Sequence, residues 1–210
     1  MSKNVLIAAA SGLALAAGAT ASATTVATYS GPGGSIPDNG GAVGNIFRSE
    51  IVIPDNASIQ DLSVTINGLD HTWAGDLIMT LEHKDTGTRA TLVHRVGATT
   101  AGGVGDSSVY LGNYTFADGG ADLWAAAAAA PFGGVIPPTT YNPSGQFNAA
   151  SSLAGFIGES TAGTWSLEIS DNAAADVGGL TGWTLDFKIP TPGALALFGV
   201  AGLAASRRRR

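Results

Sequence analysis

Six stretches of this chain alternate apolar and polar side chains at every second position, a period that specifies half-buried strands and not helices. Phe47, Ser49, Ile51 and Ile53 alternate with Arg48, Glu50 and Val52, and Leu62, Val64 and Ile66 with Ser63, Thr65 and Asn67. Leu77, Met79 and Leu81 face away from Thr80 and Glu82, while Leu92, His94 and Val96 oppose Thr91, Val93 and Arg95. Near the end, Trp165, Leu167 and Ile169 alternate with Ser166, Glu168 and Ser170, and Trp183, Leu185 and Phe187 with Thr184, Asp186 and Lys188. Strands of this kind bury one face and wet the other, as in an antiparallel sandwich. Turn residues separate them: Pro54-Asp55-Asn56, Asn67-Gly68, Asp85-Thr86-Gly87 and Gly178-Gly179. The expected fold class is all-β, one sandwich, with Trp165 and Trp183 in its core.

Two long segments break the pattern. Gly97 to Ser108 is rich in Gly and Thr and reads as a mobile loop. Ala121 to Thr140 holds Trp124, six alanines from Ala125, and Pro131, Pro137 and Pro138. The alanine run predicts one or two helical turns packed on the sandwich, since Ala has the best helix propensity but so short a run is not stable alone.

The two ends read differently from the middle. Lys3 precedes an apolar run from Val5 to Ala17, and Ala21-Ser22-Ala23 supplies the small-x-small pattern of a signal peptidase site. Residues 1–23 are therefore expected to be a signal peptide cut after Ala23, leaving 24–189 as one domain. Pro190 and Pro192 then interrupt the last strand, because proline cannot donate to a ladder. Gly193 to Ala205 is wholly apolar, and Arg207, Arg208, Arg209 and Arg210 follow. An apolar run closed by arginines predicts a membrane-sorting tail, 190–210, whose charged end stays on the cytoplasmic side. With its Pro-x-Pro motif, hydrophobic stretch and arginine cluster, this tail resembles the PEP-CTERM sorting signal, although Thr191 stands where that signal carries its glutamate. The resemblance implies a bacterial-type exported protein, bound for the cell surface or an extracellular matrix. It also implies a transient partner, an exosortase-type enzyme cutting near the Pro-x-Pro.

Composition narrows the functional classes. Of the whole chain's charge of −6, Lys3 and the tail arginines lie outside residues 24–189, which retain Arg48, Lys84, Arg89, Arg95 and Lys188 against 16 acidic residues. So acidic a domain repels nucleic acid and favours cations. With no cysteine there is no disulfide, thiolate nucleophile or Cys-ligated metal.

The order and spacing of several motifs in the middle segment resemble the P/Homo B domain, the module that follows the catalytic domain in subtilisin-like proprotein convertases. Ile36-Pro37-Asp38-Asn39-Gly40 is similar to its opening motif, and Ile51 through Ile66 to its first hairpin. His71-Thr72-Trp73-Ala74-Gly75-Asp76-Leu77 is the most specific stretch. Tyr141-Asn142-Pro143 and Leu153 through Gly158 follow, and Gly163-Thr164-Trp165, Asp171, Gly179-Leu180 and Trp183-Thr184-Leu185 are similar to the closing hairpin. The resemblance implies a jelly-roll-like sandwich and a link to serine endopeptidases. Proteolysis in that family belongs to a separate subtilisin-type domain, which these residues do not include.

No catalytic set is apparent. A triad needs a nucleophile hydrogen-bonded to an oriented base, and no Gly-x-Ser-x-Gly elbow accompanies His71, His83 or His94. The expected role of His71 and Asp76 is a structural hydrogen-bonded pair. Asp85-Thr86-Gly87 occurs once, so it makes a turn and not half of an aspartic dyad. Calcium is the more credible ligand, although no cofactor is required. Asp171, Asn172 and Asp176 share one loop, Asp118 and Asp122 another, and calcium takes six to eight oxygens from such loops. Asp171 and Asp176 are the first candidates for a structural calcium site. The expected function is a non-catalytic binding or structural module. Its partner would be a surface polysaccharide or, alternatively, a subtilisin-like protease stabilised in trans.

Overall fold

The structure, a computed structural model, describes residues 24–191. The segment ending at Ala23, Pro192, the apolar run and Arg207 to Arg210 lie outside the described residues. Among those described, no helix is long and apolar enough to cross a membrane.

Two sheets carry the fold. One has five strands in the order β1 (Thr24–Ile36), β9 (Gly178–Pro190), β3 (Asp61–His71), β6 (Tyr110–Ala121), β7 (Thr140–Tyr141). The other has four, β2 (Phe47–Ile53), β8 (Gly163–Asp171), β4 (Leu77–His83), β5 (Thr88–His94). Every pairing is antiparallel except β6 with β7. The inward residues of both sheets form one core, with Val64, Ile66, Leu81, Tyr114, Trp165, Leu167, Trp183 and Leu185 inaccessible to solvent. The all-β, two-sheet reading of the sequence is thus met. The two tryptophans face inward, as their alternation requires.

Three features differ from the sequence reading. First, β2 and β3 lie in different sheets, and so do β8 and β9. The paired segments expected as opening and closing hairpins are crossovers between layers. Trp183 bridges those layers directly: its indole N–H donates to the Ser49 hydroxyl at 2.8 Å, which donates to the Pro32 carbonyl at 2.7 Å. Second, β1 was not legible as a strand because its centre reads Gly31-Pro32-Gly33-Gly34. The glycines are there for approach. A β-carbon on Gly31 would lie 2.2 Å from the Trp183 Nε1, and one on Gly33 2.1 Å from the Leu180 carbonyl oxygen. Third, the β4–β5 ladder shifts register after Met79–Val93, so Leu92 and Val93 both point inward. A bulge of this kind reverses the alternation beyond it. His94 therefore turns to the half-exposed face, not to the one it would share with Leu92.

The alanine run does form a short helix, α2 (Leu123–Ala129), which follows the single turn α1 (Gly40–Val43) in chain order. Asp122 caps it by accepting from the amides of Trp124 and Ala125, and Leu123 and Ala127 anchor it on the core. The 97–108 segment is pinned and not free. The Gly75 N–H donates to the Asp106 carbonyl at 3.0 Å, and the Asp106 N–H to the Val96 carbonyl at 2.7 Å. A β-carbon on Gly105 would meet the Gly75 α-carbon at 2.5 Å. That clasp holds the segment against the 3-10 turn Ala74–Asp76 and shapes the end of the sandwich described next.

Candidate functional site

Strands β4 and β8 run past one another with Leu77 opposite Asp171 at one end and His83 opposite Trp165 at the other. Each end carries a buried histidine beside a carboxylate.

At the first end, His71 closes β3 and Asp171 closes β8, both wholly buried. His71 Nε2 lies 3.2 Å from Asp171 Oδ2, and the Trp73 amide lies 3.2 Å from His71 Nδ1, with the Trp73 carbonyl at 3.0 Å. The other Asp171 oxygen accepts from the Ala173 amide at 3.0 Å. The expected His71–Asp76 pair is not formed. Both His71 and Asp171 end strands with inward-facing side chains, whereas Asp76 sits in the 3-10 turn and faces Arg95. Asp76 is buried, and among the described residues no donor reaches its carboxyl within hydrogen-bond distance; the Arg95 guanidinium pairs with it at 3.9 Å and itself donates to the Gly75 carbonyl. Burial, with the negative charges of Asp171 and Asp176 beside it and Arg95 opposing, pushes the Asp76 carboxyl up to about 7.

Outside this pair the end opens to solvent. Trp73, Asp76, Val104, Ala173, Ala174 and Asp176 line a pocket of about 180 Å³. The Trp73 indole N–H donates to the Val104 carbonyl at 2.7 Å, and the exposed Phe132 ring meets it edge-on, centroids 6.0 Å apart. Asp176 accepts from the Thr72 hydroxyl at 2.8 Å.

At the second end, His83 lies flat on Trp165, centroids 4.3 Å apart with the planes 2° from parallel. Its Nδ1 faces Glu159 Oε2 at 2.9 Å and its Nε2 the Ala162 carbonyl at 3.1 Å. The hydroxyls of Thr86 and Thr88 also donate to Glu159. Burial works against charge on Glu159, but these bonds from Thr88, His83 and Thr86 outweigh it and hold its carboxyl below the usual range. Trp165 itself donates to the Thr161 carbonyl at 2.9 Å.

Neither His71 nor His83 holds a serine or threonine hydroxyl on a ring nitrogen; their partners are carboxylates and main chain. The calcium candidates also have partners within the fold. Both Asp171 oxygens already accept from protein donors, and Asp176 takes the Thr72 hydroxyl. In the second acidic group, Asp122 caps α2 and Asp118 accepts from Ser152 and the Leu153 amide. Among the described residues, no three His, Asp or Glu side chains converge as a metal-ligating group. Sequence reasoning singled out His71, Asp76, Asp171 and Asp176 but missed Trp73 and Arg95 as their neighbours; Arg95 takes a left-handed backbone, φ 42°, which no pattern in the sequence announces.

The proprotein convertase P-domain family model matches residues 135–187. No curated protein matches the chain. Similar solved structures include the complex of Aeromonas sobria serine protease and the chaperone, 18% identical over 80% of this chain and 27% of that one, with a TM-score of 0.42. The serine protease of Aeromonas sobria is 16% identical over 79% of this chain and 27% of that one, with a TM-score of 0.39. The chain thus spans about a quarter of the length of these structures.

Proposed function

We propose that the chain is an exported, non-catalytic binding module of the P/Homo B type, held at the cell surface or in an extracellular matrix. The observation that carries the non-catalytic half is the pairing of its two buried histidines. Each is committed to a carboxylate and to main-chain groups, with no hydroxyl on a ring nitrogen to activate. The purified chain should hydrolyse no peptide or protein. Turnover that survives repurification and disappears on His71→Ala would overturn this.

The partner class follows from two considerations. The P-domain family match at 135–187 favours a subtilisin-like protease held in trans, because a proprotein convertase P-domain accompanies a protease. A surface polysaccharide is the other candidate, and would suit the matrix location that the tail implies. Capture from the native cell surface on the full chain separates them, since either a protease or a polysaccharide will be enriched.

Export and sorting rest on the two ends of the sequence. Four arginines cost ~2.5–3.5 kcal/mol each at a membrane centre, so Arg207 to Arg210 should stop translocation. An exosortase-type enzyme would then cut beside Pro190 and Pro192. Intact-mass analysis of native material should find a protein beginning at Thr24 and ending near Pro192. A surface protein still ending at Arg210 would make the tail a permanent anchor.

A further inference from the structure

We infer that the pocket at the His71 end takes the guanidinium side chain of an arginine presented by a polypeptide partner. The argument starts from Asp76. A buried carboxylate with no donor in reach is costly to keep, and this one opens into a pocket instead of being sealed in the core. Asp176 stands on the same pocket, with one oxygen held by the Thr72 hydroxyl. Asp171 is engaged by His71 and the Ala173 amide, and both Asp38 oxygens face the Ala175 amide. Among the described residues, Arg95 is the one Lys or Arg facing the group, at 3.9 Å and bound to the Gly75 carbonyl. Negative charge is left over, facing outward.

The walls decide which cation. Calcium asks for a shell of oxygens, and four of the six lining residues are Trp73, Val104, Ala173 and Ala174. An indole and aliphatic groups suit an organic cation with an apolar stem. A guanidinium is planar, weakly hydrated, stacks on aromatic faces and offers a fork of donors to carboxylates. About 180 Å³ holds one such side chain and little more. A macromolecular bearer is indicated by the rim. Phe132, 84% exposed, and Val104, 71% exposed, project beside the opening and would meet the backbone and neighbours of the inserted residue.

The test uses the isotopically labelled full chain and three probes: acetyl-Gly-Arg-Gly-amide, its citrulline counterpart and calcium chloride. Citrulline keeps the shape and removes the charge. We expect the arginine peptide to shift the Trp73 indole N–H and the Val104 and Ala173 amides saturably, and the citrulline peptide to bind at least tenfold more weakly. Asp176→Asn, at a half-buried loop position, should lose that discrimination with its melting temperature kept. Asp76→Asn should also lose it while melting no lower than the parent, a combination that misfolding would not produce. Equal affinity for the two peptides, or no saturable shift, overturns the proposal. So does calcium moving the same resonances and displacing the arginine peptide, which would make this a metal site. The titration is independent of the partner's identity. Failure to capture a protease leaves it standing, and its failure leaves the capture experiment standing.

Discussion

The two ends of the β4–β8 ladder use the same ingredients to opposite effect. At the His83 end, a carboxylate meets a histidine and two threonine hydroxyls, and the histidine lies on Trp165. Every polar partner there is answered within the fold. At the His71 end, a histidine and Asp171 satisfy one another, but a second carboxylate, Asp76, is buried beside them without a donor. The direction of each carboxyl's shift reports the difference: Glu159 is held below its ordinary value and Asp76 far above it. A satisfied network rigidifies a core, whereas one left open stores a cost that a ligand can relieve. One end is built for stability and the other is built for contact.

The sharpest way to break this comparison is to remove the aromatic floor of the closed end. Trp165→Ala should cost about 3–5 kcal/mol in urea melts, the range for a large buried aromatic, and Trp183→Ala about as much. A loss under ~1 kcal/mol for either would place its ring at the surface and undo the inward register.

Glu159→Ala comes next, since it strands the His83 Nδ1 and the Thr88 hydroxyl, while Thr86 keeps the His83 carbonyl, and should cost about 1–3 kcal/mol. Its pH dependence has a definite sign. A carboxyl held low in the folded state adds stability above its ordinary pKa and loses it as pH falls through the depressed value. The variant should therefore differ most from the parent at neutral pH and converge with it in strong acid.

Asp76→Asn should act in the opposite direction. Its carboxyl is raised from 3.8 to about 7, so its contribution is fully present below about pH 4 and is lost as pH rises through 7. At pH 8 the variant should be more stable than the parent by at least about 1 kcal/mol, one pKa unit's worth, since the raised value already includes the opposing attraction of Arg95. A variant less stable than the parent at pH 8 would show that Arg95 already satisfies Asp76 and that the two ends do not differ.

The smallest effect belongs to neither end. On the outer face, Glu168 accepts from Arg48 at 2.9 Å and from Arg89 at 2.7 Å. Both arginines are about half exposed. Arg89→Ala should cost no more than about 1 kcal/mol and should lose its effect in high salt. A larger cost would mean that the surface, and not the core networks, carries the electrostatic stability.

Much of this was legible along the chain. Alternation alone placed Trp165, Leu167 and Ile169, and Trp183, Leu185 and Phe187, on inward faces, because the direction of a side chain along a strand depends only on its neighbours in sequence. The helical turns at the alanine run were legible for the same local reason, whereas Asp122, read along the chain only as an acidic loop residue, emerges as their cap in the structure. What the chain could not show is which strand lies beside which. The pairing of His71 with Asp171 and not Asp76 follows from where β3 and β8 end in space. The turn of His94 away from the core follows from one register shift against β4. β1 escaped notice because its Gly-Pro-Gly-Gly centre has no alternation, and the need for those glycines appears only when Trp183 is seen beneath them. Periodicity is a property of a single strand and can be read in order, whereas a buried charge acquires its partner, or lacks one, only when residues a hundred positions apart are brought into contact.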